Sequence, residues 1–164
     1  MKTFVLKVLD MSCMHGVNRI ETALQKVENV KKIKKYVEDL GLEVPSLASY
    51  VKLGVTEDEW STNKKMAVKV AEVATLLNAP YFRVQAAGYS PERGYEGIRK
   101  AFRNQAIDLS RELKRRGMQV IPILEQHGGG CIASSAGIII DLVRGLEPDI
   151  IGVLSVSYTH LRAH

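Results

Sequence analysis

Ile121-Pro122-Ile123-Leu124 is an apolar run that ends directly on a carboxylate, Glu125, with Gln126, His127 and the glycines Gly128, Gly129 and Gly130 behind it. A carboxylate at the end of a buried segment is costly unless hydrogen bonds or a cation satisfy it. A divalent metal held by carboxylates and imidazole would do so, which singles out Glu125 and His127. Glycines beside such a group let backbone and substrate approach closely. The same spacing also fits a solvated loop in which neither residue does chemistry, and position alone does not separate the two readings. Two further polar stretches follow short apolar runs: Ser46 to Tyr50, and Arg83 to Gly88.

The elements that must carry these groups are strands and helices in alternation. Leu42 to Leu47, Tyr81 to Gln85, Met118 to Leu124 and Asp149 to Leu154 read as strands. Thr56 with Glu59 three residues later is a capping box. It opens a helix with Trp60, Ala67, Val70, Ala74 and Leu77 inward, which Asn78-Ala79-Pro80 stops. A second helix starts at Pro91, carries Tyr95, Ile98, Phe102, Leu109 and Leu113, and is closed by Gly117. Ser134 and Ser135 cap a third, Ala136 to Leu146. Upstream, Thr3 to Leu9 alternates as a strand, Val17, Ile20, Leu24 and Val27 recur at helical spacing, and Ile33, Tyr36, Val37 and Leu40 make an amphipathic helix ending at Gly41. Strand-helix repetition of this kind signals a parallel α/β sheet. Strands as apolar as Val120 to Leu124 suit a sheet covered on both sides. A doubly wound sheet has the same rhythm, although no glycine-rich phosphate fingerprint follows a strand. In either architecture function sits at the C-terminal strand ends, where Glu125, His127 and Arg83 fall.

Composition narrows the partners. The chain has 164 residues, 46% of them hydrophobic, enough for one domain with a core. Its net charge of +5 comes from 23 Lys and Arg against 18 Asp and Glu. The basic residues concentrate in Lys31 to Lys35 and Arg111 to Arg116 with acids interleaved or close by, as on solvated helix faces, and no aromatics stand among them to stack bases. Nucleic acid is therefore not an expected partner. No apolar run approaches the ~20 residues that span a bilayer. Two cysteines make no disulfide framework, and the N-terminus has no h-region or cleavage site, so a cytoplasmic location is expected.

Leu42-Glu43-Val44-Pro45-Ser46-Leu47-Ala48-Ser49-Tyr50, Asn78-Ala79-Pro80-Tyr81-Phe82-Arg83-Val84, Ile123-Leu124-Glu125-Gln126-His127-Gly128 and Ile151-Gly152-Val153-Leu154 together resemble the sugar phosphate isomerase/epimerase family, whose fold is the xylose isomerase-like TIM barrel. The resemblance covers residues 31–154 and implies a partial (β/α)8 barrel of about four βα units. It implies an isomerase or epimerase acting on a sugar or sugar phosphate with a divalent metal (Mn, Mg, Co or Zn) as cofactor. The metal binds two adjacent sugar oxygens and acidifies a carbon-bound proton, which glutamates move through an enediolate. On this reading Glu125 is the first metal-binding and proton-transferring Glu, His127 stands where a residue that touches the substrate or supports the metal ligands is expected, and Arg83 contacts a phosphate or hydroxyl or forms an ordinary ion pair. Cys131 is expected to be a small buried residue. An Asp-containing metal motif normally follows the strand ending Ile-Gly-Val, and Ser155 onward lacks it. The resemblance thus implies a truncated, inactive piece. Abasic-site endonucleases share the superfamily but need several more His and Glu ligands.

Both ends carry other resemblances. Met1 to about Val27 is similar to the start of a heavy-metal-associated domain of copper-chaperone type, a short β-α segment of ferredoxin-like fold. That family holds Cu(I) between two thiolates, whereas Cys13-Met14-His15-Gly16 offers one, so Cys13 marks a weak soft-metal site or an unused loop. Residues 1–30 are accordingly expected to be a distinct segment joined near Val27 to Val30, and a Cu(I) carrier is the alternative function. Val156 to His164 resembles a translated sequencing adapter, so residues 155–164 are expected to be a non-native tail and His160 and His164 to have no role.

Overall fold

A computed structural model describes residues 27–156 of the chain. The elements are α1 (Val27–Asp39), β1 (Ser46–Leu47), β2 (Lys52–Leu53), α2 (Glu57–Leu76), β3 (Tyr81–Ala86), α3 (Gly94–Arg115), β4 (Ile121–Glu125), α4 (Ala136–Val143) and β5 (Gly152–Leu154). Every strand pair is parallel, in the order β1-β3-β4-β5, with β2 also pairing β3. This is the expected α/β alternation. Among the described residues no helix is long and apolar enough to cross a membrane.

The local signals account for most boundaries. Thr56 caps α2 and exchanges hydrogen bonds with Glu59, the capping box. Asn78, in the left-handed region at φ 57°, ends that turn ahead of Pro80. Ser135 caps α4 by accepting from the Ile138 N–H. Pro91 lies in a turn rather than in α3, which begins at Gly94 because Ser90 O first accepts from the Arg93 and Gly94 N–H groups. The predicted strand Met118 to Leu124 is shorter at its start, running Ile121–Glu125, and the one predicted from Asp149 is reduced to Gly152–Leu154 by a turn in which Glu147 O accepts from Ile150 N.

The segment predicted as one strand, Leu42 to Leu47, pairs only at Ser46 and Leu47, and a second short strand, Lys52–Leu53, follows it beyond a bulge. Ser46 pairs Tyr81 and Lys52 pairs Gln85, six steps on one side against four on the other. The two surplus residues are taken up at Ala48 to Val51, which pushes Ser49 and Tyr50 out of the ladder.

Successive residues of β3 and β4 face opposite ways. Phe82, Val84 and Leu124 are fully buried and join Trp60, Ile98, Phe102 and Leu109 in the main core. The opposite face carries Tyr81, Arg83 and Gln85 on β3 beside Ile121, Ile123 and Glu125 on β4. Arg83 and Glu125 thus share the face turned away from the helices.

One helix expectation changes. The apolar stripe of α1 is narrower than predicted: Val30 and Val37 are buried, but Ile33, Tyr36 and Leu40 are 45%, 64% and 53% exposed. The physical reason is that α1 packs chiefly on α2 among the described elements, helped by Lys34 donating to Asn78 at 3.1 Å, and one neighbour covers only one line of a helix.

α3 and α4 are tied by Tyr95, which donates to Asp141 at 2.8 Å, with Arg99 Nε 2.8 Å from the same carboxylate. Burial, then the bond to Asp141, push the Tyr95 hydroxyl up to about 12. Its unfolded value is about 10, so between these the folded state holds more protons and stability falls as pH rises. The contribution is complete below about pH 10 and is lost through pH 12. Melting curves should therefore show the stability gap between the wild type and Tyr95→Phe closing over that interval; a gap independent of pH would contradict the assignment.

Candidate active site at the strand ends

The cluster is built on register. Arg83 pairs Ile123 and Val84 pairs Leu124, and one further step sets Gln85 beside Glu125. Arg83 Nη1 donates to Glu125 Oε1 at 3.2 Å and Gln85 Nε2 to Oε2 at 3.3 Å. His127 Nδ1 also stands 3.3 Å from Oε2. Both carboxylate oxygens therefore have partners, and the Arg83 and Glu125 side chains are only 17% and 13% exposed. His127 is nearly half exposed, so the cluster opens to solvent on that side.

Arg83 is held from behind by the bulge. Its Nε donates to Ser49 O at 3.1 Å, and Ser49 Oγ donates back to Arg83 O at 2.5 Å. The Tyr50 ring lies 5.1 Å from the guanidinium carbon, in range for a cation–π contact. The loop after β4 folds over the end of β3. His127 N donates to Ala133 O, Ile132 N to Ala87 O, and Cys131 bridges Gly88. Gly129 and Gly130, at φ 68° and 87°, make the turn, and a Cβ on Gly88 would lie 3.3 Å from Gly130 O. Gly129 and Gly130 therefore serve the turn, and Gly88 the close approach of the two backbones.

The three residues singled out in the barrel segment, Glu125, His127 and Arg83, are thus brought together, and Arg83 is in an ion pair with Glu125. Cys131 is half-buried, donates to Ala86 O at 3.1 Å, and burial pushes its thiol up, which keeps it protonated and unreactive at neutral pH. Cys13, His160 and His164 lie outside the described residues. Gln85, Ser49 and Tyr50 were not singled out as site residues. Gln85 had a signal, a polar residue two places from Arg83 on an apolar strand and hence on the same face. Ser49 and Tyr50 fall in the polar stretch Ser46 to Tyr50, but their place behind Arg83 depends on a bulge, which leaves no mark in hydrophobic spacing.

A resident divalent metal needs more than this. Among the described residues no group of three or more His, Cys, Asp or Glu side chains is placed to hold an ion. Glu125 and His127 are two donors, and one of them already bears a guanidinium. The described residues do not by themselves fit a metal centre. What the cluster can do is hold a carboxylate, shielded from water except on the His127 side, as a proton acceptor, with Gln85 and Arg83 fixing its orientation.

No family model matches the chain, and no curated protein matches it. Solved structures do. A D-tagatose 3-epimerase-like protein superposes with a TM-score of 0.65 at 11% identity, over 79% of this chain and 51% of its own. A probable 3-DHS dehydratase involved in petrobactin synthesis from Bacillus anthracis gives 0.63 at 13% identity, over 85% and 50%. A xylose isomerase-like TIM barrel/4-hydroxyphenylpyruvate dioxygenase fusion protein gives 0.57 at 15% identity, over 76% and 19%. The fold is therefore that of part of a TIM barrel. The chain spans about half the length of the first two structures and 19% of the third.

Proposed function

We propose that the chain is part of a divalent-metal-dependent isomerase or epimerase of a sugar or sugar phosphate, and that it supplies the Glu125 corner of the active site. The observation that carries this is the placement of Glu125: a shielded carboxylate at the C-terminal end of a parallel barrel strand, where TIM-barrel enzymes place their catalytic groups. The epimerase-like neighbour and the dehydratase both use this fold, which supports a small, oxygen-rich substrate.

In this reading Glu125 accepts and returns a carbon-bound proton and is one donor to the metal, the others coming from strands beyond β5. His127 reaches the substrate from the open side of the cluster, and Arg83 holds the carboxylate in place. One carboxylate can neither hold the metal nor complete an acid/base pair, so the chain of 164 residues should not turn over sugars by itself. The purified chain, incubated with Mn2+, Mg2+ or Co2+ and a panel of aldoses, ketoses and their phosphates, is expected to give no product above the metal blank. Metal-dependent isomerisation that disappears in Glu125→Gln would overturn the inactivity.

A further inference from the structure

The described sheet ends in two flanks of complementary make-up. At one end stands β5, paired only with β4. Leu154 O accepts from Gln126 N on the β4 side, so the Val153 N–H and C=O turn to the outer edge, an open template for another strand. The Val153 side chain shares the helix-covered face with Leu124, its register partner, yet it is 47% exposed. Ile140 on α4, the last described helix, is 56% exposed. At the other end β1 and β2 are successive parts of one strand position, paired only with β3. The helix before them, α1, packs chiefly on α2 and leaves Ile33, Tyr36 and Leu40 exposed. Among the described residues, one flank is thus a strand without a covering helix, and the other a helix with no strand beneath its outer side.

We propose that the 164-residue chain pairs with a second copy of itself, β5 of each copy lying beside β1 of the other, to close an eight-stranded barrel. The strand count fits. The described strands fill four positions, all parallel, and a barrel of this type has eight. A two-fold axis along the barrel keeps the strands parallel across both new junctions and leaves no open edge. It also sets α1 of each copy over the partner's Val153 and against the partner's Ile140, so each flank supplies what the other lacks. Full burial of Ile33, Tyr36, Leu40, Ile140 and Val153 in both copies would remove on the order of 1,000 Å² from water, near the ~1,200 Å² at which stable interfaces begin, before the strand edges are added. The pairing depends on the fold alone and is independent of the role proposed for Glu125.

Sedimentation equilibrium of the 164-residue chain at micromolar concentration is expected to give twice the 18.2 kDa chain mass. The double variant I140K/V153K changes one flank and Y36E/L40E the other. Each loses apolar burial at both junctions, so the dissociation constant should rise at least about a hundredfold in either. The four substitutions combined set lysines against glutamates across each junction, and should associate more tightly than either double variant. Leu40→Ser and Ile140→Ser, at exposed helix positions, carry the test should the charged variants not fold. A wild-type mass of 18.2 kDa throughout the micromolar range would overturn the pairing, and is the result if residues 1–26 of the same chain cover α1 instead. A dimer indifferent to either flank, or a combined variant no tighter than the two it combines, as for an α1-to-α1 contact, would overturn it as well.

Discussion

Phe102→Ala is expected to lower the unfolding free energy by about 3–5 kcal/mol, read as a shift of the denaturant midpoint at unchanged slope. Phe102 is 0% exposed in the middle of α3 and belongs to the same core cluster as Leu53, Phe82 and Val84. Its Cβ would lie only 3.4 Å from a Cβ on Gly54, so helix and strand end are in close contact there. Alanine removes a whole ring from a place that cannot collapse, since the helix is held along its length by Ile98, Ala106 and Leu109, all at 0% exposure. A loss below about 1 kcal/mol would mean that α3 does not pack on the sheet as described.

Gln105→Ala should cost about 2–4 kcal/mol for a different reason. Gln105 is 2% exposed and spans two backbone groups of the turn after β2, accepting from Gly54 N at 2.8 Å and donating to Val55 O at 2.9 Å. Arg93 reinforces the same turn by donating to Gly54 O at 2.7 Å and Val55 O at 3.3 Å. Without Gln105 the Gly54 N–H is left buried and unpaired. Gly54, at φ 84°, has little room to re-form the turn, because a Cβ there would come within 3.1 Å of Ile98. Gln105→Leu, which fills the volume but cannot bond, should lose nearly as much as alanine. Full recovery in the leucine variant would show that space, not hydrogen bonding, is what the residue supplies.

How far the sequence specifies these features depends on their range. Capping at Thr56 and Ser135 and the left-handed Gly41 and Gly117 are local, and local residues disclose them. The strands β3 and β4 are disclosed because their apolar residues face cover on one side and a partly enclosed face on the other. The Arg83–Glu125 pair joins residues 42 positions apart, and only the strand register shows that the two meet. Glu125 and Arg83 each stood out as polar groups at strand ends, but not as partners of one another. The bulge that positions Ser49 and Tyr50 was illegible, since hydrophobic spacing reports faces and not pairing. The α1 stripe is narrower than its spacing suggests for a related reason: amphipathic spacing shows which face can be buried, while the neighbours present decide how much of it is.

In the proposed function Glu125 moves a proton on a sugar. The direct measurement uses a full-length protein that contains residues 31–154, incubated in D2O with Mn2+ and a panel of ketoses and ketose phosphates. Deuterium uptake at the carbon next to the carbonyl is followed by NMR. The expected result is metal-dependent exchange into at least one sugar, abolished by Glu125→Gln while the variant keeps its fold. A folded protein that exchanges no sugar in the panel, or one whose exchange survives Glu125→Gln, would contradict it.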